Sequence, residues 1–141
     1  MAAQIVLLYS DNALVRAAIT RAITPAPAPG MDPIVIREFA TAAALREYFD
    51  DKGKADLLIV DGEATPEGGL GVARALKDEV YHAPPIVGVI AREADRWLAT
   101  WARVDAIAFH PLDPRALAHQ VADLLKSRGE KAIVAGSPTP H

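Results

Sequence analysis

The chain has 141 residues, 51% of them hydrophobic and 23% charged, enough to bury the core of one ordinary globular domain. A net charge of -3 leaves no basic footprint for nucleic acid, and no apolar run has the length of a bilayer span, so direct membrane insertion is not expected. The absence of cysteine excludes disulfides and thiol chemistry and points to a cytoplasmic setting.

The elements follow in chain order. No basic region and cleavage site of a secretory signal precede the first apolar strand, which covers residues 4–9 and ends at Ser10-Asp11. Leu14, Val15, Ala18, Ile19 and Ala22 fall at helical spacing and predict a helix over residues 12–23. Pro25, Pro27 and Pro29 make residues 24–30 a stiff connection. A second strand begins at residues 34–36, and Thr41 is the expected N-cap of a helix over 42–50. Residues 55–61 read as a buried strand of a parallel sheet, closed by Asp61. A Gly-rich loop at 62–69 leads to a helix over about 70–80. Pro84 and Pro85 precede a fourth strand at 86–90, a helix is expected over 93–102, and a fifth strand follows at 105–109. Asp113 and Pro114 open a last helix running to about Arg128. The domain is thus expected to span residues 1–128, with 129–141 a flexible C-terminal tail.

Strands alternating with helices, β first, imply a parallel sheet covered on both faces. Right-handed crossovers leave few topologies, and the flavodoxin-like (βα)5 doubly wound α/β sheet, strand order 2-1-3-4-5, is expected. Two helices should cover one face and three the other. That order sets the ends of strands one and three side by side and should bring Asp11 and Asp61 together. Two carboxylates at neighbouring strand ends are the start of a phosphoryl or metal site. Gly62, Gly68, Gly69 and Gly71 follow neither Rossmann nor P-loop spacing, and turn geometry is the expected reason for them.

With Ser10-Asp11-Asn12, Asp61, Gly69-Leu70 and His110-Pro111 at these places, residues 4–126 resemble the CheY-like receiver domain of bacterial two-component response regulators. The resemblance implies that Asp61 is the phosphoacceptor of a phosphorelay. It further implies that Asp11, Asp61 and the Glu63 carbonyl are the Mg²⁺ ligands. The same comparison marks departures. Ser10 stands where a first acid is usual, Ile90 where a Ser or Thr is usual, and His110 where a Lys is usual. Thr65 takes the place of a loop proline, Pro66 following it, and Pro111 is a cis candidate. Ile90 cannot donate a hydrogen bond, and a histidine is only fractionally charged near neutrality where a lysine is fully charged. Mg²⁺ without the second acid would be held weakly at best, so no cofactor is required. The chain therefore resembles an atypical, or pseudo-, receiver.

Three functions remain in view. The first is a non-enzymatic, stand-alone receiver that docks on a protein partner independently of phosphorylation. The second is a receiver that takes a phosphoryl group on Asp61 from a histidine kinase. The third is a small nucleotide or flavin binder, which the short acidic segment after strand one disfavours. Asp61 itself could serve as a loop cap, a working phosphoacceptor or a relic, and His110 reads as structural. His82, His119 and His141 lack metal-ligand spacing. Trp97 and Trp101, four apart, share one helix face, either folded on the core or exposed as docking anchors. In receivers the face built by helix four, strand five and helix five is the usual docking surface, which makes this pair the partner-binding candidates. No DNA-binding segment follows the last helix, so output is expected through protein contact. The single-domain form also resembles atypical regulators found with bacterial respiratory NADH dehydrogenase, which implies a larger complex as partner.

Overall fold

Three apolar runs build the centre of the sheet. β1 (Ile5–Tyr9), β3 (Leu57–Asp61) and β4 (Ile86–Ile90) are almost wholly buried, as strands covered on both faces must be. β2 (Val35–Phe39), which carries Arg37 and Glu38, and β5 (Ala106–Phe109) are less buried and form the edges. All four pairings are parallel, in the expected order β2-β1-β3-β4-β5. The computed structural model describes residues 3–135, with side chains to Arg128.

Side-chain caps start three of the helices. Asn12 Oδ1 accepts the N–H groups of Leu14 (2.9 Å) and Val15 (3.4 Å) at the start of α1 (Ala13–Ile23). Thr41 Oγ1 accepts the Ala44 N–H at 3.1 Å and opens α2 (Ala42–Asp50). Asp113 Oδ1 accepts from Arg115 (3.0 Å) and Ala116 (3.2 Å) at the start of α5 (Pro114–Ala135). The remaining helices are α3 (Gly69–Glu79) and α4 (Arg96–Trp101).

Strand alternation then sorts the side chains into two cores. Val6, Leu8, Ile59, Val87 and Val89 pack with Ile19 and Ile23 of α1 and Leu117, Val121 and Leu125 of α5. Leu7, Tyr9, Leu58, Val60, Ile86 and Ile90 pack with α2, α3 and α4. Two helices cover one face and three the other.

Three local expectations are corrected. The segment expected as one helix over 93–102 is a 3-10 turn, Glu93–Asp95, followed by the six-residue α4. The ion pairs Arg92–Asp95 and Glu93–Arg96 bridge i and i+3, the spacing a 3-10 turn brings together. α5 continues past Arg128 to Ala135, because a single Gly129 costs a helix only about 1 kcal/mol and helix formers follow it. Of the segment read as a tail, residues 136–141, His141 among them, lie outside the described residues. Leu14, placed on the apolar stripe of α1, is 80% exposed, since it stands on the first turn beyond the edge of the core. Among the described residues no helix is long and apolar enough to cross a membrane.

The glycines of the β3–α3 loop serve close approach rather than turn geometry, because none adopts the left-handed region. A Cβ on Gly69 would lie 2.5 Å from the Asp61 carbonyl oxygen, and one on Gly62 would lie 2.7 Å from that of Val89. Gly71, inside α3, has open space around it. Opposite signs are therefore expected in urea unfolding. Gly69→Ala should lose about 1–3 kcal/mol through overpacking, while Gly71→Ala should gain about 0.5–1 kcal/mol from helix propensity.

Candidate functional site

The sheet order lines up the carboxyl ends of β1, β3, β4 and β5, and the first residues beyond them meet there. Ser10 still belongs to the ladder through its N–H, which donates to the Phe39 carbonyl at 3.1 Å. Its hydroxyl donates to Asp61 Oδ2 at 2.8 Å and accepts the Asn12 N–H at 3.1 Å. Asp61 Oδ1 accepts the Glu63 N–H at 2.9 Å and lies 3.2 Å from His110 Nε2. Asp61 is 2% exposed and Ser10 fully buried, the only buried polar residues among those described. Both carboxylate oxygens are thus engaged from within the chain.

The neighbouring loops are tied by a second ring of contacts. The Thr65 hydroxyl donates to Asp11 Oδ2 at 2.9 Å, and Glu63 Oε1 accepts the Ala91 N–H at 3.2 Å. Arg16 donates to the Ser10 carbonyl at 2.7 Å while pairing with Glu38 at 3.1 Å. The Tyr9 hydroxyl donates to the Glu67 carbonyl at 2.6 Å, and Arg46 grips the Glu67 carboxylate with two nitrogens at 2.9 and 2.5 Å. The His110 N–H donates to the Ile90 carbonyl at 2.9 Å, and the His110–Pro111 peptide is cis.

Asp11 and Asp61 share one end of the sheet, and the hydrogen bond to the Asp61 carboxylate from this segment comes from Ser10. Successive residues leaving a strand project to opposite sides, so only one of Ser10 and Asp11 can turn toward β3. Asp11 is exposed and bonded to Thr65. Ile90 closes β4 with a buried aliphatic side chain and no hydroxyl. Among the described residues no three His, Asp or Glu side chains are grouped to hold a metal ion.

The tryptophans lie outside the core. Trp97 is 66% and Trp101 47% exposed, while Ala99 and the half-buried Leu98 supply the core side of α4 and Ala102 is buried just past its end. The Arg74 guanidinium stands 5.4 Å from the Trp101 ring centroid and donates to the Trp101 carbonyl at 2.8 Å. Arg74 and Arg103 both pair with Asp78.

Tyr9, Thr65, Glu67 and Arg46 carry contacts that the motifs did not announce. The available signal was Tyr9, a lone phenol closing an aliphatic strand, because a buried hydroxyl needs a partner. Burial pushes that phenol above its ordinary value of 10.0, with the Glu67 and Asp11 carboxylates adding to the effect.

With fold and geometry in place, relatives can be compared. No family model matches the chain. Two uncharacterised response regulatory proteins of Mycobacterium tuberculosis, one in each of two strains, are each 41% identical over 122 residues, covering 86% of this chain and 91% of theirs. The signal receiver domain of an HD domain-containing protein from Pseudomonas fluorescens superposes with TM-score 0.77 at 12% identity, covering 94% of this chain and 93% of that one. A CheY-like receiver from Methanospirillum hungatei gives 0.74 at 16% identity, over 92% and 99%. The receiver domain of the TMAO respiratory system response regulator TorR gives 0.72 at 25% identity, over 88% and 98%. The chain belongs to the response regulator family and has the fold of its CheY-like receiver domain.

The Tyr9 shift has a defined sign. The fold favours the neutral phenol, so its stabilisation is complete below the unfolded value of 10.0 and is lost as pH rises through the higher folded value. The urea midpoint should fall as pH rises from about 10.0 through the higher folded value and level off beyond it, and Tyr9→Phe should fall less steeply over the same alkaline range.

Proposed function

We propose that this receiver acts as a protein-docking module whose output does not depend on phosphorylation of Asp61. The observation that carries this is that both Asp61 carboxylate oxygens are engaged, with Ser10, the Glu63 N–H and His110 at 2.8, 2.9 and 3.2 Å. Attack on a phosphoryl donor would break those bonds and set about two negative charges into the same space. Ile90 offers that charge no hydroxyl, and His110 stands in place of a permanent ammonium. Mg²⁺ needs oxygen ligands with free lone pairs in near-octahedral array. Here the Ser10 hydroxyl, standing where a first acid is usual, spends its proton on Asp61, and both Asp61 oxygens and Asp11 Oδ2 already accept hydrogen bonds or contacts from within the chain. This donor set does not fit a resident Mg²⁺, and no step is assigned to one.

Output instead runs through the face carrying α4, β5 and α5. Exposed Trp beside Arg is the composition of interface hot spots; Arg74 and Asp78 stand on α3, so the Trp101 end of α4 extends this surface toward α3.

Intact-mass analysis after incubation with acetyl phosphate and Mg²⁺ should show no modified Asp61. The Ser10→Asp/Ile90→Thr/His110→Lys triple variant should acquire the label, because Thr and Lys restore donors worth about 3 kcal/mol each in a transfer step and Asp restores the first acid for Mg²⁺. Stoichiometric, Asp61-dependent labelling of the unaltered chain at rates normal for receivers would refute the proposal.

Docking has its own test. Trp101→Ala should weaken binding to a partner captured from the native host by roughly thirtyfold, about 2 kcal/mol, with the thermal midpoint nearly unchanged. A lower midpoint with unchanged affinity would remove the tryptophan from the interface.

A further inference from the structure

α4 has six residues, far fewer than the roughly 12–15 at which an isolated helix becomes even marginally stable in water. It lies on the core through Ala99 and the half-buried Leu98, with Ala102 buried just past its end, and its carboxyl end is tied by Arg74 to the Trp101 carbonyl at 2.8 Å. Its amino end has no side-chain cap. What holds that end is the segment from Ala91 to Asp95, and here the backbone donors can be followed one by one. The Gly62 and His110 N–H groups are taken by the Val89 and Ile90 carbonyls, which ends the ladder. The Asp95 N–H turns back to the Arg92 carbonyl, and the Arg96 N–H to that of Glu93. The Ala91 N–H, first beyond β4, goes to the Glu63 carboxylate at 3.2 Å. The Arg92–Asp95 ion pair lies within the segment; Glu93 pairs with Arg96 of α4, whose guanidinium stands 5.4 Å from the Phe109 ring centroid, so Glu63 is the tie from the segment to the Asp61 turn and not its sole contact.

We propose that Glu63 is a positioning residue for the docking face. Its carboxylate straps the segment leading into α4 to the turn that follows Asp61, and so sets the pose of Trp97. This rests on the docking role proposed above and adds a link to the buried site. The Glu63 backbone N–H donates to Asp61 Oδ1 at 2.9 Å while its side chain holds Ala91. The two bonds join the Asp61 turn and the Trp-bearing helix through one residue. Glu63 and Ala91 are both exposed, so the strap orders a surface segment and adds little to global stability.

Residue-resolved amide hydrogen exchange on the full chain tests this without any partner. In Glu63→Ala the Ala91 amide should exchange about tenfold faster or more, as expected for loss of a hydrogen bond to a charged acceptor. The amides of Arg96–Trp101 should follow it, while strand amides and the thermal midpoint stay unchanged. Glu63→Gln, which keeps an acceptor oxygen, should restore most of the protection. Unchanged Ala91 exchange in Glu63→Ala overturns the strap. Faster exchange at Ala91 with α4 unaffected overturns the positioning role. An exchange pattern as expected, beside a partner indifferent to Trp101→Ala, overturns the docking role and leaves the strap standing.

Discussion

A carboxylate that is 2% exposed must have its lone pairs satisfied from inside the chain, and Asp61 imposes that demand at the end of the central strand. Leaving a buried charge unpaired costs several kcal/mol, a large share of the total stability of a domain. The demand is met by three separate parts of the backbone: Ser10 after β1, Glu63 in the following turn, and His110 after β5. One side chain therefore draws the strand ends together. The loops inherit their shapes from it, since Ser10 also receives the Asn12 N–H at the head of α1, and the Asp61 carbonyl receives the Ala64 N–H.

A site satisfied in this way is inward-looking. Receivers resemble one another in their sheet, where periodic burial fixes register, and differ in what crowns it. In this chain the crown is a hydroxyl, a backbone amide and an imidazole gathered on one carboxylate, with Asp11 turned to Thr65 and Glu63 turned to Ala91. The proposed independence from phosphorylation rests on this closure, and the proposed output rests on the outer surface. Core burial is supplied by Ala99 and Ala102, which frees both indoles of α4 for other contacts.

The distribution of order follows the same logic. The two cores on either side of the sheet contain long aliphatic side chains in continuous contact, and they hold β1, β3 and β4 firmly. α4 contributes Ala99 and part of Leu98 to that packing, with Ala102 just past its end, and a polar tie from Arg74 holds its carboxyl end. A short helix held this way belongs to the less stable part of a fold, and binding surfaces are often drawn from that part.

The sequence alone determined the fold class, the strand order, the division of helices between faces, and Asp61 as the closing residue of β3. These follow from periodicity and from the handedness of crossovers, which act along the chain and leave a visible pattern. Caps such as Thr41 and Asp113 were legible for the same reason, because donor and acceptor lie within three residues of each other. Only the tertiary structure decided that Ser10 rather than Asp11 meets Asp61, that Glu63 reaches Ala91, and that Tyr9 anchors the turn at Glu67. It also decided that Trp97 and Trp101 face outward, and that Gly62 and Gly69 are glycines because backbone approaches them. Ser10 and His110 stand 51 and 49 positions from Asp61. Contacts over such distances depend on which side of a strand end each residue leaves and on what already fills the space there, and neither is written in a one-dimensional pattern.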